Sequence, residues 1–183
     1  MIEDKELIER IRQGDQKAFR TVYDMHYKLM MGVAINLTRD VDSAKEIVQE
    51  VFFQFWKNHD AIKDGIAIRN YLKRAVINRS INYHKYNTRF TSDDVLQHAP
   101  SSFINSDTQI EVSELQTEIQ RAMDKLPEKA RLVFILKRHE GLSLNEIADQ
   151  LGISPKTVEN QITRALKILK DELEPYLKNM NSV

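Results

Sequence analysis

The side chains best suited to chemistry lie close together near the C-terminus: Lys156, Thr157, Glu159, Asn160, Thr163, Arg164 and Lys167. At about 100° per residue, Lys156, Asn160, Thr163 and Lys167 fall on one side of a helix, with Glu159 and Arg164 flanking them. Val158, Ile162, Ala165, Leu166 and Leu169 fall in an apolar sector on the other side. An amide and a guanidinium presented this way can bond to base edges in a DNA groove, while ammonium groups meet phosphates. Glu159 is the discordant member, because it repels phosphate unless it accepts from a cytosine amino group or pairs with a neighbouring base-reading residue. A solvated helix face would use the same residue types, so the elements before the stripe decide between the two readings.

Those elements run from Ser143 to Val158. Ser143 and Glu146 have the spacing of a capping box, Ile147, Ala148 and Leu151 make a packed face, and Gly152 supplies the left-handed residue that ends a helix. Ile153 is expected to fill the inside of the turn, Ser154 to cap the next helix, and Pro155 to occupy its first position, where a missing N–H costs nothing. Such a short, fully punctuated turn is what a helix-turn-helix requires, and it precedes an outward Lys/Asn/Arg stripe. Nucleic-acid binding follows from the coincidence.

Two earlier helices carry further candidate surfaces. In Asp42–Trp56, Ala44, Val48, Val51, Phe52 and Phe55 face inward together, leaving Glu46, Gln49, Glu50 and Phe53 on the other side. That is the pattern of a docking surface, or else Phe53 packs on another helix of its own domain and the carboxylates are merely solvated. The next helix interleaves Arg69, Lys73, Arg74 and Lys85 with Tyr71, Asn78 and Asn82. Cations with rings and amides suit single-stranded nucleic acid, whose phosphates and unstacked bases need both. The bland reading of the same charges is a solvated face. Arg79 falls on the line of Leu72, Ala75, Val76 and Tyr83, either as a buried, paired arginine or as a groove residue.

Periodicity supplies the scaffold. Five Gly and four Pro in 183 residues are too few for a turn-rich β-protein, and the chain is expected to be all-α. Helices are read at 3–13, 17–38, from Asp40 or Asp42 to Lys57, and at 66–87, with Phe19, Val22, Tyr23, His26, Leu29, Met30, Val33, Ala34 and Leu37 as the buried face of the second. Four more are read at Val112–Lys125, Glu128–His139, Leu144–Leu151 and from Ser154 to about Lys178. Two small helical domains, residues 1–90 and 111–183, are thus joined by an acidic flexible linker at 91–110. The 27 basic and 27 acidic groups cancel overall, yet residues 1–90 carry 16 basic against 12 acidic, while residues 91–115 carry five acidic and no basic group. Fully stretched, the linker reaches about 65–70 Å at roughly 3.3–3.6 Å per residue.

Several function classes drop out. With no Cys there is no thiolate metal site, disulfide or cysteine nucleophile. The five His never fall in a paired ligand spacing, and neither a Gly-rich phosphate loop nor GxSxG occurs. The chain is expected to be no enzyme and to need no cofactor or metal. Its N-terminus is acidic where a secretory signal would be basic then apolar, and no run of about 18 uncharged apolar residues occurs, so a soluble, cytoplasmic protein without membrane insertion is expected.

The residues resemble bacterial RNA polymerase sigma factors of the extracytoplasmic-function type. Asp42–Trp56 is similar to the family's Asp-Ala-Glu-Asp-(Ile/Leu)-Val-Gln-Glu-x-Phe motif near a Trp, and Tyr71–Tyr83 to its Tyr-Leu-x-x-x-(Val/Ala)-x-Asn helix. Leu126–Leu136 resembles the family's Leu-Pro-x-x-x-Arg-x-Val-Phe-x-Leu segment leading into the helix-turn-helix. The resemblance implies that Glu46, Gln49, Glu50 and Phe53 bind the clamp helices of core RNA polymerase. It implies that the loop Asn58–Gly65 and the helix after it, with Arg69, Tyr71, Lys73, Arg74, Asn78, Asn82 and Lys85, take the melted −10 element of promoter DNA. The −35 element would fall to Asn160, Thr163, Arg164 and Glu159, with Thr157 beside them and Lys156 and Lys167 on phosphates. An anti-sigma factor is the further partner implied. Glu159 and Asn160 stand where relatives often have basic or small residues, and Asn78-Arg79-Ser80-Ile81-Asn82 is spelled most like sigma factors of Bacteroidetes. The runner-up reading is a ligand-sensing, one-component helix-turn-helix regulator, which would hold duplex DNA without polymerase; a helical adaptor that binds only proteins is the third.

Overall fold

The computed structural model describes residues 4–90 and 114–180. All regular structure among the described residues is helical: α1 (Asp4–Arg12), α2 (Gln16–Thr38), α3 (Val41–Lys57), a 3-10 turn (His59–Ala61), α4 (Ile68–Phe90), α5 (Glu114–Asp124), α6 (Glu128–Arg138), α7 (Leu144–Leu151) and α8 (Pro155–Met180). The all-α, two-domain expectation holds, with the chain dividing into units of residues 1–98 and 99–183. The expected linker at 91–110 and the helix start at Val112 lie outside the described residues.

In the first unit, helix boundaries follow from local capping. Gly14 adopts φ 78° after α1, and the Asp15 carboxylate then accepts from the amides of Lys17 (2.8 Å) and Ala18 (3.2 Å). The Arg10 guanidinium, with those amides, holds the Asp15 carboxyl below the usual carboxylate range. Of the two candidate starts for α3, Asp40 is the one used, accepting from Ser43 N at 2.9 Å. Between α2 and α3, Arg39 takes the left-handed conformation at φ 56°, a position more often given to glycine.

The core of this unit forms where α2, α3 and α4 meet. Val22, Met30, Ala34 and Leu37 of α2, Ala44, Val48, Phe52 and Phe55 of α3, and Ile68, Leu72, Val76 and Ile81 of α4 are all buried. Leu7, Ile8 and Ile11 attach α1 to it. Each of the larger of these side chains contributes about 1.5–3 kcal/mol on burial, so the apolar seam rather than the polar surface stabilises the bundle. The α2 face differs from expectation at Leu29, which is exposed. The buried sector rotates along a helix that crosses its neighbours at an angle, and by residue 29 it has moved toward Met30, Val33 and Ala34.

The second unit is centred on Ala122, Leu126, Ala130, Ala165 and Leu169, with Met123, Phe134, Ile168 and Leu173 packed against them. The capping box of α7 is complete: Ser143 Oγ accepts from Glu146 N at 3.2 Å, and Glu146 Oε2 accepts from Ser143 N at 2.8 Å. Gly152 ends the helix at φ 69°. Two expectations are corrected. Ile153 remains 36 % exposed, because its backbone N–H closes the turn on Ala148 O (3.1 Å) while its side chain stays at the rim. Leu166 is 44 % exposed, since it stands about 80° round α8 from Val158 and meets the edge of the core rather than its centre.

A Cβ added at Gly152 would meet nothing within 4 Å, so the cost of Gly152→Ala is conformational alone. A loss of about 1 kcal/mol is expected, measured by urea unfolding of the full chain; no loss would show that the turn relaxes out of the left-handed region.

Candidate nucleic-acid interfaces

The α8 stripe is carried by the caps that precede it. Ser154 Oγ accepts from Thr157 N at 3.0 Å and lies 2.9 Å from Thr157 Oγ1, so Thr157 is shared between capping and any outside contact. Lys156, Glu159, Asn160, Thr163, Arg164 and Lys167 are all exposed, whereas Val158, Ala165 and Leu169 are buried on the opposite side. The structure brings the sequence-derived residues of this face together. Glu159 Oε2 lies 2.9 Å from Lys156 Nζ, so it pairs with a neighbouring cation, though with the lysine expected on phosphate rather than with a base-reading residue. That contact offsets repulsion toward phosphate, and it leaves Asn160, Thr163 and Arg164 as the groups presented outward.

On α4 the sequence-derived residues divide. Tyr71, Arg74, Asn78, Asn82 and Lys85 follow one another at three- and four-residue steps and occupy a single sector about 80° wide. They are exposed or half-exposed, with Tyr71 at 43 %. Arg69 and Lys73 lie roughly on the other side of the helix, so they do not belong to this stripe. Arg69 instead acts on His26 of α2. Burial lowers the His26 pKa first, with nearby Asp4 opposing and Arg69 reinforcing that shift.

The outer face of α3 presents Glu46, Gln49 and Phe53, the last 55 % exposed. The alternative in which Phe53 packs inside its own domain therefore does not hold. Glu50 is turned toward α4, where Arg79 Nη2 donates to its Oε1 at 2.5 Å and Gln54 Nε2 donates to the same oxygen at 2.8 Å. Arg79 is thus the paired arginine of the two readings considered, although half-exposed rather than buried. Chiefly this guanidinium, and next the Gln54 amide, hold the Glu50 carboxyl below its ordinary value.

Sequence reasoning placed a loop at Asn58–Gly65 but gave no account of what orders it. Its first part is a 3-10 turn whose His59 ring stacks on Trp56 at 5.1 Å, with His59 Nδ1 2.8 Å from Trp56 O. Trp56 in turn contacts Phe19 at 5.0 Å. The sequence also left Arg131 without a role. It is 5 % exposed in α6, within the core of its unit.

Among the described residues no group of three or more His, Asp or Glu could hold a metal ion, and no helix is long and apolar enough to cross a membrane.

Comparison with known proteins assigns both units. Residues 22–90 match the model of sigma-70 region 2, and residues 116–169 match sigma-70, region 4. The chain is 24 % identical to the RNA polymerase sigma-H factor of Pseudomonas aeruginosa, covering 96 % of each. It is 26 % identical to the ECF RNA polymerase sigma-E factor of Escherichia coli K12, again over 96 % of each. Among solved structures, the sigma factor RpoE of Bartonella quintana, in complex with the anti-sigma factor NepR, has the same fold, with a TM-score of 0.52 and 20 % identity over 86 % of this chain and 98 % of that one.

The Glu50–Arg79 contact sets a titration. A carboxyl whose folded pKa is depressed contributes stability that is complete above its ordinary value of 4.5 and lost as pH falls through the lowered one. In Arg79→Ala the Glu50 side-chain carbonyl, followed by NMR, is expected to titrate nearer 4.5. An unchanged midpoint would mean that the contact is not made in solution.

Proposed function

Because the chain belongs to the sigma-70 family, carrying regions 2 and 4, and is an alternative sigma factor of the extracytoplasmic-function kind, we propose how its surfaces divide the work of initiation. Glu46, Gln49 and Phe53 on α3 dock on the clamp helices of core RNA polymerase. Glu50 contributes from the edge of that face, held there by Arg79. The Asn58–Gly65 loop captures an unstacked base of the −10 element, and Tyr71, Arg74, Asn78, Asn82 and Lys85 of α4 track the melted strand. Arg69 and Lys73, on the other side of α4, contribute to the −10 contact as cations facing phosphate rather than as part of that stripe. In the second unit α8 enters the major groove at the −35 element, where Asn160 and Arg164 read base edges, Thr163 adjoins them, and Lys156 and Lys167 face phosphates.

The observation that carries this reading is the pairing of a region 2 bundle and a region 4 helix-turn-helix, each with a polar, outward stripe opposite its own buried core. The energetics agree. Removing a base from the duplex stack costs a few kcal/mol, a cost to be offset by contacts of the melted strand with the first unit and by backbone contacts elsewhere. The protein works in the cytoplasm beside the polymerase. An anti-sigma factor restrains it, a reading supported by the Bartonella quintana relative, whose structure is a complex with NepR. The spelling Asn78-Arg79-Ser80-Ile81-Asn82 supports a source among the Bacteroidetes. The ligand-sensing regulator has no observation in its favour, since both matched regions belong to sigma factors.

Two substitutions should separate the surfaces. Phe53→Ala is expected to weaken binding to core polymerase roughly tenfold, within the range for an aromatic anchor, while thermal stability stays nearly unchanged because the ring is mostly in solvent. Arg164→Ala is expected to leave core binding intact and to lower transcription from a promoter selected in vitro, with relaxed preference at one −35 position, at a cost of about 1–3 kcal/mol. Unaltered promoter preference would remove Arg164 from the reading face.

A further inference from the structure

Residues 62–67 join the 3-10 turn to α4 without helical structure, and Gly65 within them takes φ 75°. A segment of this kind has many conformations available unless something outside it removes them. Among the described residues, the hydrogen bonds that reach residues 62–65 come from Arg12, about fifty positions earlier in the chain. Arg12 Nε donates to Ile62 O at 2.7 Å, its Nη2 donates to the same carbonyl, and its Nη1 donates to Asp64 Oδ1 at 2.6 Å. At the other end of α1, Asp4 Oδ2 accepts from Ile68 N at 3.0 Å. Ile68 is the first residue of α4, so this carboxylate satisfies one of the amide groups a helix start leaves open. Between these contacts Leu7, Ile8 and Ile11 are buried, which fixes α1 to the bundle.

The contacts are unequal. Asp64 is 85 % exposed, so its ion pair with Arg12 is weak and screened by salt. A guanidinium giving two donors to one main-chain carbonyl is the stronger interaction, and its planar fork also fixes direction. Of the polar contacts the Ile62 carbonyl is therefore the anchor and Asp64 an accessory, and the Ile62 side chain, itself buried, fixes the same residue from the apolar side.

We infer that Arg12 and Asp4 are positioning residues for base capture: α1 grips the segment at residue 62 and at residue 68, holding the loop in its receiving conformation before DNA arrives. This rests on the reading of Asn58–Gly65 as the −10 capture loop. A loop ordered only by its ligand spends part of the binding free energy on that ordering and tolerates misplaced bases, whereas a loop already held discriminates by fit.

The test uses the full chain assembled with core polymerase and forked promoter DNA whose −10 strand is single-stranded, in versions differing at one base. The readout is the ratio of affinities for preferred and altered base. Arg12→Ala is expected to reduce this ratio roughly tenfold, as expected of misplaced contact groups, with core binding and −35 duplex affinity unchanged. Arg12→Lys should fall with it, because an ammonium cannot reproduce the forked contact, and Asp64→Asn should fall less. If Arg12→Ala does not fold, Arg12→Lys and Asp4→Asn decide on the same ratio.

An equal loss for every base, with lowered thermal stability and an intact ratio, would reduce α1 to a structural prop and overturn the inference. So would an intact ratio in the Arg12 variants alongside a lost ratio in an Asp60→Ala/Lys63→Ala double variant, an outcome that leaves the capture loop standing. Intact ratios in both sets would overturn the capture-loop reading and the inference with it.

Discussion

Charge balance constrains everything this chain can do with DNA. Its 27 basic and 27 acidic groups leave no net charge to gather a polyanion from a distance, only a modest basic excess in residues 1–90, and affinity for duplex grows with each phosphate neutralised and each counterion released. The α8 face offers Lys156, Arg164, Lys167 and, one turn further on, Lys170 for that purpose, and Lys156 is already in contact with Glu159. On the proposed reading such a surface chooses among sequences once it is held at the groove but is too weakly charged to hold itself there against physiological salt. Selectivity without strong grip is what a subunit of a larger machine needs, because it prevents the free subunit from occupying promoters. Two weak surfaces joined in one chain gain when both are engaged at once.

In the first unit the faces proposed for docking and for strand handling are physically linked. Its apolar core fixes α3 against α4, and the Glu50–Arg79 contact crosses between them at the surface. Glu50 borders the proposed docking face while Arg79 borders the α4 stripe, so on that proposal a partner that draws on Glu50 alters the electrostatics beside the strand. The α1 contacts add a third fixed point at the loop between the 3-10 turn and α4. Little in this arrangement is free to adapt, which suits a surface that must tell one flipped base from another.

What the sequence made legible was whatever depends on near neighbours. The capping box at Ser143 and Glu146, the left-handed Gly152, the caps at Asp15 and Ser154, and the inward set of α3 all involve residues two to four apart, where helix geometry leaves few options. Phe53 and Arg79 had two readings each, because a side chain opposite its helix's core still faces an unknown, and only the packing of α3 against α4 resolves them. The residue types of Arg69 and Lys73 match those of Arg74 and Lys85, and only their angular positions on α4 set them apart. Ile153 and Leu166 sit at rims of the core, where periodicity cannot distinguish the edge of an apolar sector from its centre. The Arg12 and Asp4 contacts span some fifty and sixty residues, and no local pattern announces them.

The central claim, that promoter hold arises only in company with the polymerase, is tested most directly by titrating a cognate promoter duplex with the purified chain, alone and with core enzyme, across a range of salt. The account predicts weak, sequence-indifferent and salt-sensitive binding by the chain alone, and a specific, transcriptionally competent complex that survives physiological salt once core enzyme is added. A specific, salt-resistant complex formed by the chain alone, with no association between chain and core enzyme, would contradict it.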